Sequence, residues 1–209
     1  MISVTNICKH YKKKNVLNGA SFSADKGDCI CIVGENGTGK STLLSIIAGI
    51  IKADDGTIDF KDDTVIGYVP QENPLIPELS VKDNLRLWYG KDLSDVSIID
   101  EIGLANDLNT VVSKLSGGMK KRLSIAIAMS KNPNLLLLDE PSAALDLPCK
   151  QLIREYLVTF CKKGGTVIIA THDEMELEIC NKMLMLKSGV LSEISSTLRG
   201  KELIDMFIN

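Results

Sequence analysis

The stretch GENGTGKST, Gly34 to Thr42, fits the pattern G-x-x-x-x-G-K-[ST] and lies between the apolar run CICIV and the apolar segment TLLSIIAG. A buried strand, a glycine loop and a helix in that order let backbone N–H groups curl around phosphate oxygens, with the positive end of the helix dipole behind them. The expectation is a phosphate site made by Gly34, Glu35, Asn36, Gly37, Thr38, Gly39, Lys40, Ser41 and Thr42. There the Lys40 ammonium reaches the β- and γ-phosphates and the Ser41 hydroxyl ligates Mg²⁺. A second segment, NLLLLDEP, sets Asp139 and Glu140 behind four leucines. A carboxylate at the carboxyl end of a buried strand beside a phosphate loop holds Mg²⁺ through water, which suits Asp139. Glu140 is one residue further and must point elsewhere; it is placed to orient or deprotonate an attacking water. These two segments point to a nucleoside triphosphatase of unspecified class. A third, LSGGMKKRLS, has the character of a second anion site: two glycines at the mouth of a helix, followed by Lys120, Lys121 and Arg122.

The surrounding pattern specifies what must hold these residues. MISVTNICK and VLNGASFSA alternate in polarity, as half-exposed antiparallel strands do, and GTIDF follows them. CICIV, TVIGYVPQ, LLLLDE and TVIIATHD read instead as strands buried on both faces. From Ser80 to about Leu115 the texture is helical, with a serine cap and Asp83 opening SVKDNLRLWYG, and with SDVSIIDEIGL ending near Gly103. A helix follows the glycines of the third segment, and another opens at Asp146 and Pro148 and closes at Lys162, Lys163 and Gly164. KMLMLKSGVLSEI is a hairpin turning at Ser188 and Gly189, and GKELIDMFIN is a last amphipathic piece. Strands alternating with helices predict an α/β fold with a mainly parallel sheet and helices on both faces.

Composition narrows the function classes. Lys+Arg 24 against Asp+Glu 27 gives a formal charge of -3, so no strong global attraction to nucleic acid or anionic lipid is expected. The three cations after the glycines are read as a solvated helix start, and YKKKN as an exposed turn. The six cysteines show no C-x-x-C pair and sit in apolar segments, which predicts buried, reduced thiols in a cytosolic protein. The amino terminus lacks the h-region of a signal peptide, and no apolar stretch approaches the 18 or so residues that cross a bilayer.

The phosphate loop, LSGGMKKR, LLLLDEP, SAALD and ATHD, in that order, resemble the ATP-binding cassette family over essentially the whole chain. The resemblance implies a P-loop NTPase core with an N-terminal antiparallel β-subdomain and an inserted helical subdomain. It implies one domain over 1–209, with the core at about 1–70 and 131–209 and the helical part at about 71–130. It implies that Tyr11 stacks on adenine, that Gly34 to Thr42 bind ATP and Mg²⁺, and that Gln71 senses the metal and the attacking water. Ser116, Gly117 and Gly118 become the signature, Asp139 the metal-directed acid, Glu140 the catalytic base, Asp146 part of the communication loop, and His172 the γ-phosphate switch. Asp146 also suits an N-cap. Cassettes of this kind pair head to tail, so the second anion site serves a neighbour's nucleotide. Two positions depart from the family pattern: Met119 stands where glutamine is common, and Ala144 where glycine is usual.

The leading expectation is therefore the ATP-hydrolysing subunit of a transporter, exporting its substrate through an integral-membrane permease on a separate chain. It would lie in the cytoplasm, peripheral on the inner face of the cell membrane, as a homodimer or paired with another cassette. Two other classes fit parts of the sequence. A soluble cassette ATPase of DNA repair, ribosomes or metal-cluster assembly shares the motifs but usually carries insertions or a second cassette, and a P-loop kinase leaves LSGG and His172 without a role.

Overall fold

The computed structural model describes residues 1–12, 14–93 and 96–208. In chain order it has β1 (Ile2–Tyr11), β2 (Lys14–Ala24), β3 (Cys29–Val33), α1 (Lys40–Ile47), β4 (Asp55–Phe60) and β5 (Ile66–Val69). Then come α2 (Val81–Tyr89), α3 (Ile98–Glu101), α4 (Gly117–Ala128), β6 (Leu135–Asp139), α5 (Leu147–Lys162), β7 (Thr166–Ala170) and α6 (Glu174–Leu177). The hairpin β8 (Lys182–Lys187) and β9 (Val190–Ile194) and the helix α7 (Gly200–Ile208) complete the described chain. Short 3-10 turns lie at Ala105–Asp107, Val112–Lys114 and Met129–Lys131.

Two sheets result. The alternating strands β1, β2 and β4 form an antiparallel sheet in the order β2-β1-β4. The apolar strands form a six-stranded sheet in the order β5-β6-β7-β3-β8-β9, parallel except for β9, which turns back at Ser188 and Gly189. Each central strand is buried on both faces, and its alternate residues enter two different cores. Cys29, Cys31 and Val33 of β3 join Leu123 of α4 and Ile153 and Leu157 of α5 on one face. Ile30 and Ile32 join Leu43, Leu44 and Ile47 of α1, together with Val4 and Leu17 of the antiparallel sheet, on the other. The four leucines of β6 divide two and two between these cores. At the start of β6, Asn134 is held on three sides. Its N–H donates to the Val65 carbonyl at 3.0 Å, its Oδ1 accepts from the Val65 N–H at 2.9 Å, and its Nδ2 donates to the Asp63 carbonyl at 2.7 Å.

Between β5 and β6 the described residues form helices and turns with one isolated bridge, Ser80 to Val111, in agreement with an inserted helical subdomain. Ser80 caps α2, accepting from the Asp83 N–H at 3.1 Å while its hydroxyl donates to the Asp83 carboxylate at 2.6 Å. The helix expected over SDVSIIDEIGL is short, α3 spanning four residues before Gly103 turns the chain at φ 66; Ser94 and Asp95 lie outside the described residues, as does Lys13 of YKKKN. Among the described residues no helix is long and apolar enough to cross a membrane.

The expectation of six reduced thiols is corrected. Cys31 and Cys180 are joined as a disulfide, with their Cα atoms 5.9 Å apart, while Cys8, Cys29, Cys149 and Cys161 remain free. Strand alternation puts Cys31 on the face against which the end of α6 packs, and Cys180 arrives there from 149 residues away. Sequence spacing alone carries no trace of that meeting.

Candidate functional site

The phosphate loop leaves the carboxyl end of β3 and runs directly into α1. Gly39 takes the left-handed conformation at φ 112 just before the first helical residue, Lys40, and a Cβ there would stand 2.7 Å from Val16 Cγ1. Only glycine lets β2 and the loop approach so closely. Lys40 is buried, and its Nζ donates to the carbonyls of Gly34 at 2.6 Å and Glu35 at 3.1 Å. Burial pushes its pKa down, against the pull of Glu140 and Asp139. The ammonium therefore stands at the centre of the loop, opposite two acids.

Those acids leave β6, which β7 separates from β3 in the sheet. Asp139, the last residue of β6, is buried, and desolvation raises its pKa despite a hydrogen bond from the Ser41 hydroxyl. Glu140 sits at φ 46, a left-handed backbone rarely taken by residues other than glycine, and its N–H donates to the Ala170 carbonyl at 2.9 Å. Gln71 Nε2 donates to Glu140 Oε2 at 3.1 Å, and His172 Nδ1 approaches Glu140 Oε1 at 3.7 Å while remaining 67% exposed. A cleft of about 360 Å³ is lined by Tyr11, Asn36, Gly37, Lys40, Gln71 and Glu140, among others. A larger cavity of about 680 Å³ lies at the other end of the sheet, beside Asn134 and Gly164, and brings together none of these groups. Loop residues, Gln71 and Glu140 therefore share the smaller cleft.

The other expected residues fall as follows. Tyr11 is exposed at the lip of the cleft, with Lys9 Nζ 5.5 Å from its ring centroid. Ser116 caps α4, accepting from the Met119 N–H at 3.2 Å. Ser116, Gly117 and Gly118 do not line the cleft; Ser116 and Gly117 are exposed, and a Cβ on Gly118 would meet Cys149 Sγ at 2.7 Å. Asp146 caps α5, its Oδ1 accepting from the Cys149 N–H at 3.0 Å. Met119 packs its thioether side chain against the larger hydrophobic core, so apolar contact stands where a glutamine amide is common.

The solvated reading of Lys120, Lys121 and Arg122 is corrected for two of the three. Lys121 is 4% exposed and donates to the carbonyls of Pro70 at 3.1 Å and Gln71 at 3.0 Å. Arg122 Nη1 donates to the carbonyls of Ile102 at 3.0 Å and Gly103 at 3.1 Å. A cation run looks the same in sequence whether it meets water or distant carbonyl groups.

A phosphate loop facing a strand-end acid pair, with a glutamine and a histidine converging on the second acid, defines a nucleotide-hydrolysing cassette. The family model described as ABC transporter matches residues 17–143, and the chain belongs to that family. The Nod factor export ATP-binding protein I of Bradyrhizobium diazoefficiens is 34% identical over 90% of this chain and 68% of its own length. The linearmycin resistance ATP-binding protein LnrL of Bacillus subtilis is 32% identical over 100% of this chain and 75% of its own. Among solved structures, a dimeric ATP-binding cassette in a post-hydrolysis state, bound to ADP and phosphate, superposes with a TM-score of 0.83. It is 28% identical, covering 96% of this chain and 100% of the other. The protein is an ATP-binding, ATP-hydrolysing subunit of a transporter.

Proposed function

We propose that this subunit energises export through a separate integral-membrane permease, and that each ATP is hydrolysed between two cassettes paired head to tail, in a homodimer or beside a different cassette. The observation that carries the pairing is that Ser116 and Gly117 are exposed and stand away from the cleft that the phosphate loop forms. A helix mouth built for anions but turned from the chain's own anion site fits a neighbour's nucleotide. Export is supported by the relative named for Nod factor export. A permease partner is supported by the apolar side chains of α2 and the loop before it: Leu87 is 61% and Trp88 54% exposed, with Ile76 nearby in sequence and also exposed. The proposed subunit lies in the cytoplasm, peripheral on the inner face of the cell membrane, where it meets the permease. In this reading residues of about 1–70 and 131–209 form the ATP-binding core and about 71–130 the helical subdomain that receives the permease.

Each residue then has a task. Tyr11 stacks on adenine, and the loop from Gly34 through Glu35, Asn36, Gly37, Thr38 and Gly39 to Thr42 wraps the phosphates with its N–H groups. Lys40 exchanges the carbonyls of Gly34 and Glu35 for phosphate oxygens. The oxygen donors of Ser41, Gln71 and Asp139 suit a hard cation such as Mg²⁺, since a buried carboxylate already bonded to the Ser41 hydroxyl has the chemistry for it. When bound, that ion neutralises charge on the transferring phosphoryl group. Glu140 takes a proton from the attacking water, oriented by Gln71, and His172 donates to the γ-phosphate. Loss of that phosphate removes a contact made only in the closed pair; moving a pair from 1:99 to 99:1 needs about 5.5 kcal/mol of differential affinity.

The test is Glu140→Gln, which keeps the shape and removes the base. It is expected to bind ATP normally, to accumulate as a dimer in ultracentrifugation at saturating Mg-ATP, and to lower turnover by about 10²-fold or more. Near-normal turnover would reject the assignment of the base, and single copies only, even with the permease supplied, would reject the pairing.

A further inference from the structure

Lys121 is an expensive residue to keep where it is. Its ammonium lies within the protein, where desolvation lowers its pKa, and the carboxylates of Asp139, Glu176 and Glu140 oppose that shift from a distance. Its hydrogen bonds go to two consecutive backbone carbonyls, Pro70 and Gln71, some fifty residues earlier in the chain. Gln71 is the residue whose side-chain amide bonds Glu140 at 3.1 Å. One turn further along α4, Ser124 Oγ lies 3.0 Å from Asn73 Oδ1, and further still the Ala128 carbonyl lies 2.7 Å from where a Cβ on Gly67 would be. Lys121, Ser124 and Ala128 share one helical face, which therefore lies along β5 and the loop that carries Gln71. The first turn of this same helix begins at Ser116.

We infer that Lys121 is a positioning residue for hydrolysis: it fastens the backbone at Pro70 and Gln71 to α4, so that the Gln71 amide is held on Glu140 and follows any displacement of the Ser116 helix mouth. The inference rests on the site assignment above and deepens it. A partner's nucleotide that draws in Ser116 moves one rigid helix, and that helix carries the glutamine of its own chain's cleft. The lysine charge suits the task, since two charge-assisted bonds to adjacent carbonyls fix both the position and the twist of the loop where one neutral bond would leave it free to turn.

A double-mutant cycle tests this on the full chain, with kcat and KM for ATP measured separately. Lys121→Met, alone, is expected to lower kcat about 10- to 100-fold and to change KM by less than about threefold, because a misplaced glutamine affects the reaction step and not ground-state binding. Lys121→Arg, which keeps charge and donors, is expected to retain most of the activity. In the Gln71→Ala background Lys121→Met is expected to lower kcat by less than about twofold, since a side chain that is absent cannot be misplaced. A purely architectural lysine would instead lower kcat equally in both backgrounds, and that result overturns the inference. So does a normal kcat in Lys121→Met beside a low kcat in Gln71→Ala, an outcome that leaves the site assignment standing. A normal kcat in Gln71→Ala removes the assignment of Gln71 and the inference with it. Should Lys121→Met lack a cooperative melting transition, Lys121→Gln carries the same cycle with the same criteria.

Discussion

Ala144 lies at φ 58, in the loop between β6 and α5, and its side chain is exposed. A left-handed backbone costs a residue with a Cβ roughly 1 kcal/mol relative to glycine, and here no buried contact offsets it. Ala144→Gly is expected to raise stability by up to about 1 kcal/mol, less the extra entropy glycine gives the unfolded chain. A shift of the urea midpoint with an unchanged slope would register it; a fall in the midpoint would show that the unfolded-state term dominates. Other single residues were legible without coordinates because their roles are local. Ser80 and Asp146 act on backbone within three residues of themselves, so the sequence places them. Lys121 and Arg122 act on carbonyls contributed by remote segments, and Cys31 meets Cys180 across 149 positions. Such meetings are made by the fold alone.

At the scale of elements, α6 is tied to the loop after β6 by one buried carboxyl. The Ser142 hydroxyl donates to Glu176 Oε1, while Glu176 Oε2 is buried without a hydrogen-bond partner among the described residues. Burial, with Asp173 adding to it and Lys150 opposing, pushes the Glu176 pKa up to about 7 from an ordinary 4.5. The folded chain thus holds a proton there that the unfolded chain has released between these two values. Stability from this group is whole below about pH 4.5 and declines as pH rises through about 7, by roughly 3 kcal/mol at most. Glu176→Gln is expected to flatten that decline, so the melting temperatures of the two proteins should diverge from pH 5 to pH 8 with the variant higher at pH 8. Parallel curves would refute it. The buried strands and the helices α2 and α5 were readable as elements because apolar runs and caps are strong signals. The extent of α3 was not, since a short turn and a longer helix share the pattern of SDVSIIDEIGL.

At the scale of the molecule, the order of the six-stranded sheet brings together β3 and β6, separated in the sheet by β7, so that loop and acids meet at one edge. Ser116 is exposed and does not line that cleft, and this arrangement calls for a partner cassette. Ser116→Arg places a bulky charge at that mouth. It is expected to leave binding of labelled ATP by the single chain unchanged while abolishing the Mg-ATP-dependent dimer of the Glu140→Gln form and lowering turnover about tenfold or more in the otherwise native chain. Unchanged turnover would dismiss a role for Ser116 across the interface. Sequence order alone made the fold class readable here, because parallel strands joined by helices admit few arrangements.

Four identical leucines have a consequence for where the acids emerge. Slid one place along its neighbours, β6 would still offer a leucine to each core at nearly every level, so oiliness cannot tell the strand where to stop. The stop is Asn134, gripped by the Val65 and Asp63 backbone at the far margin of the sheet. A carboxylate some 16 Å away is thus set in place by an amide that never comes near a nucleotide, much as the heel of a ruler decides where its last mark falls.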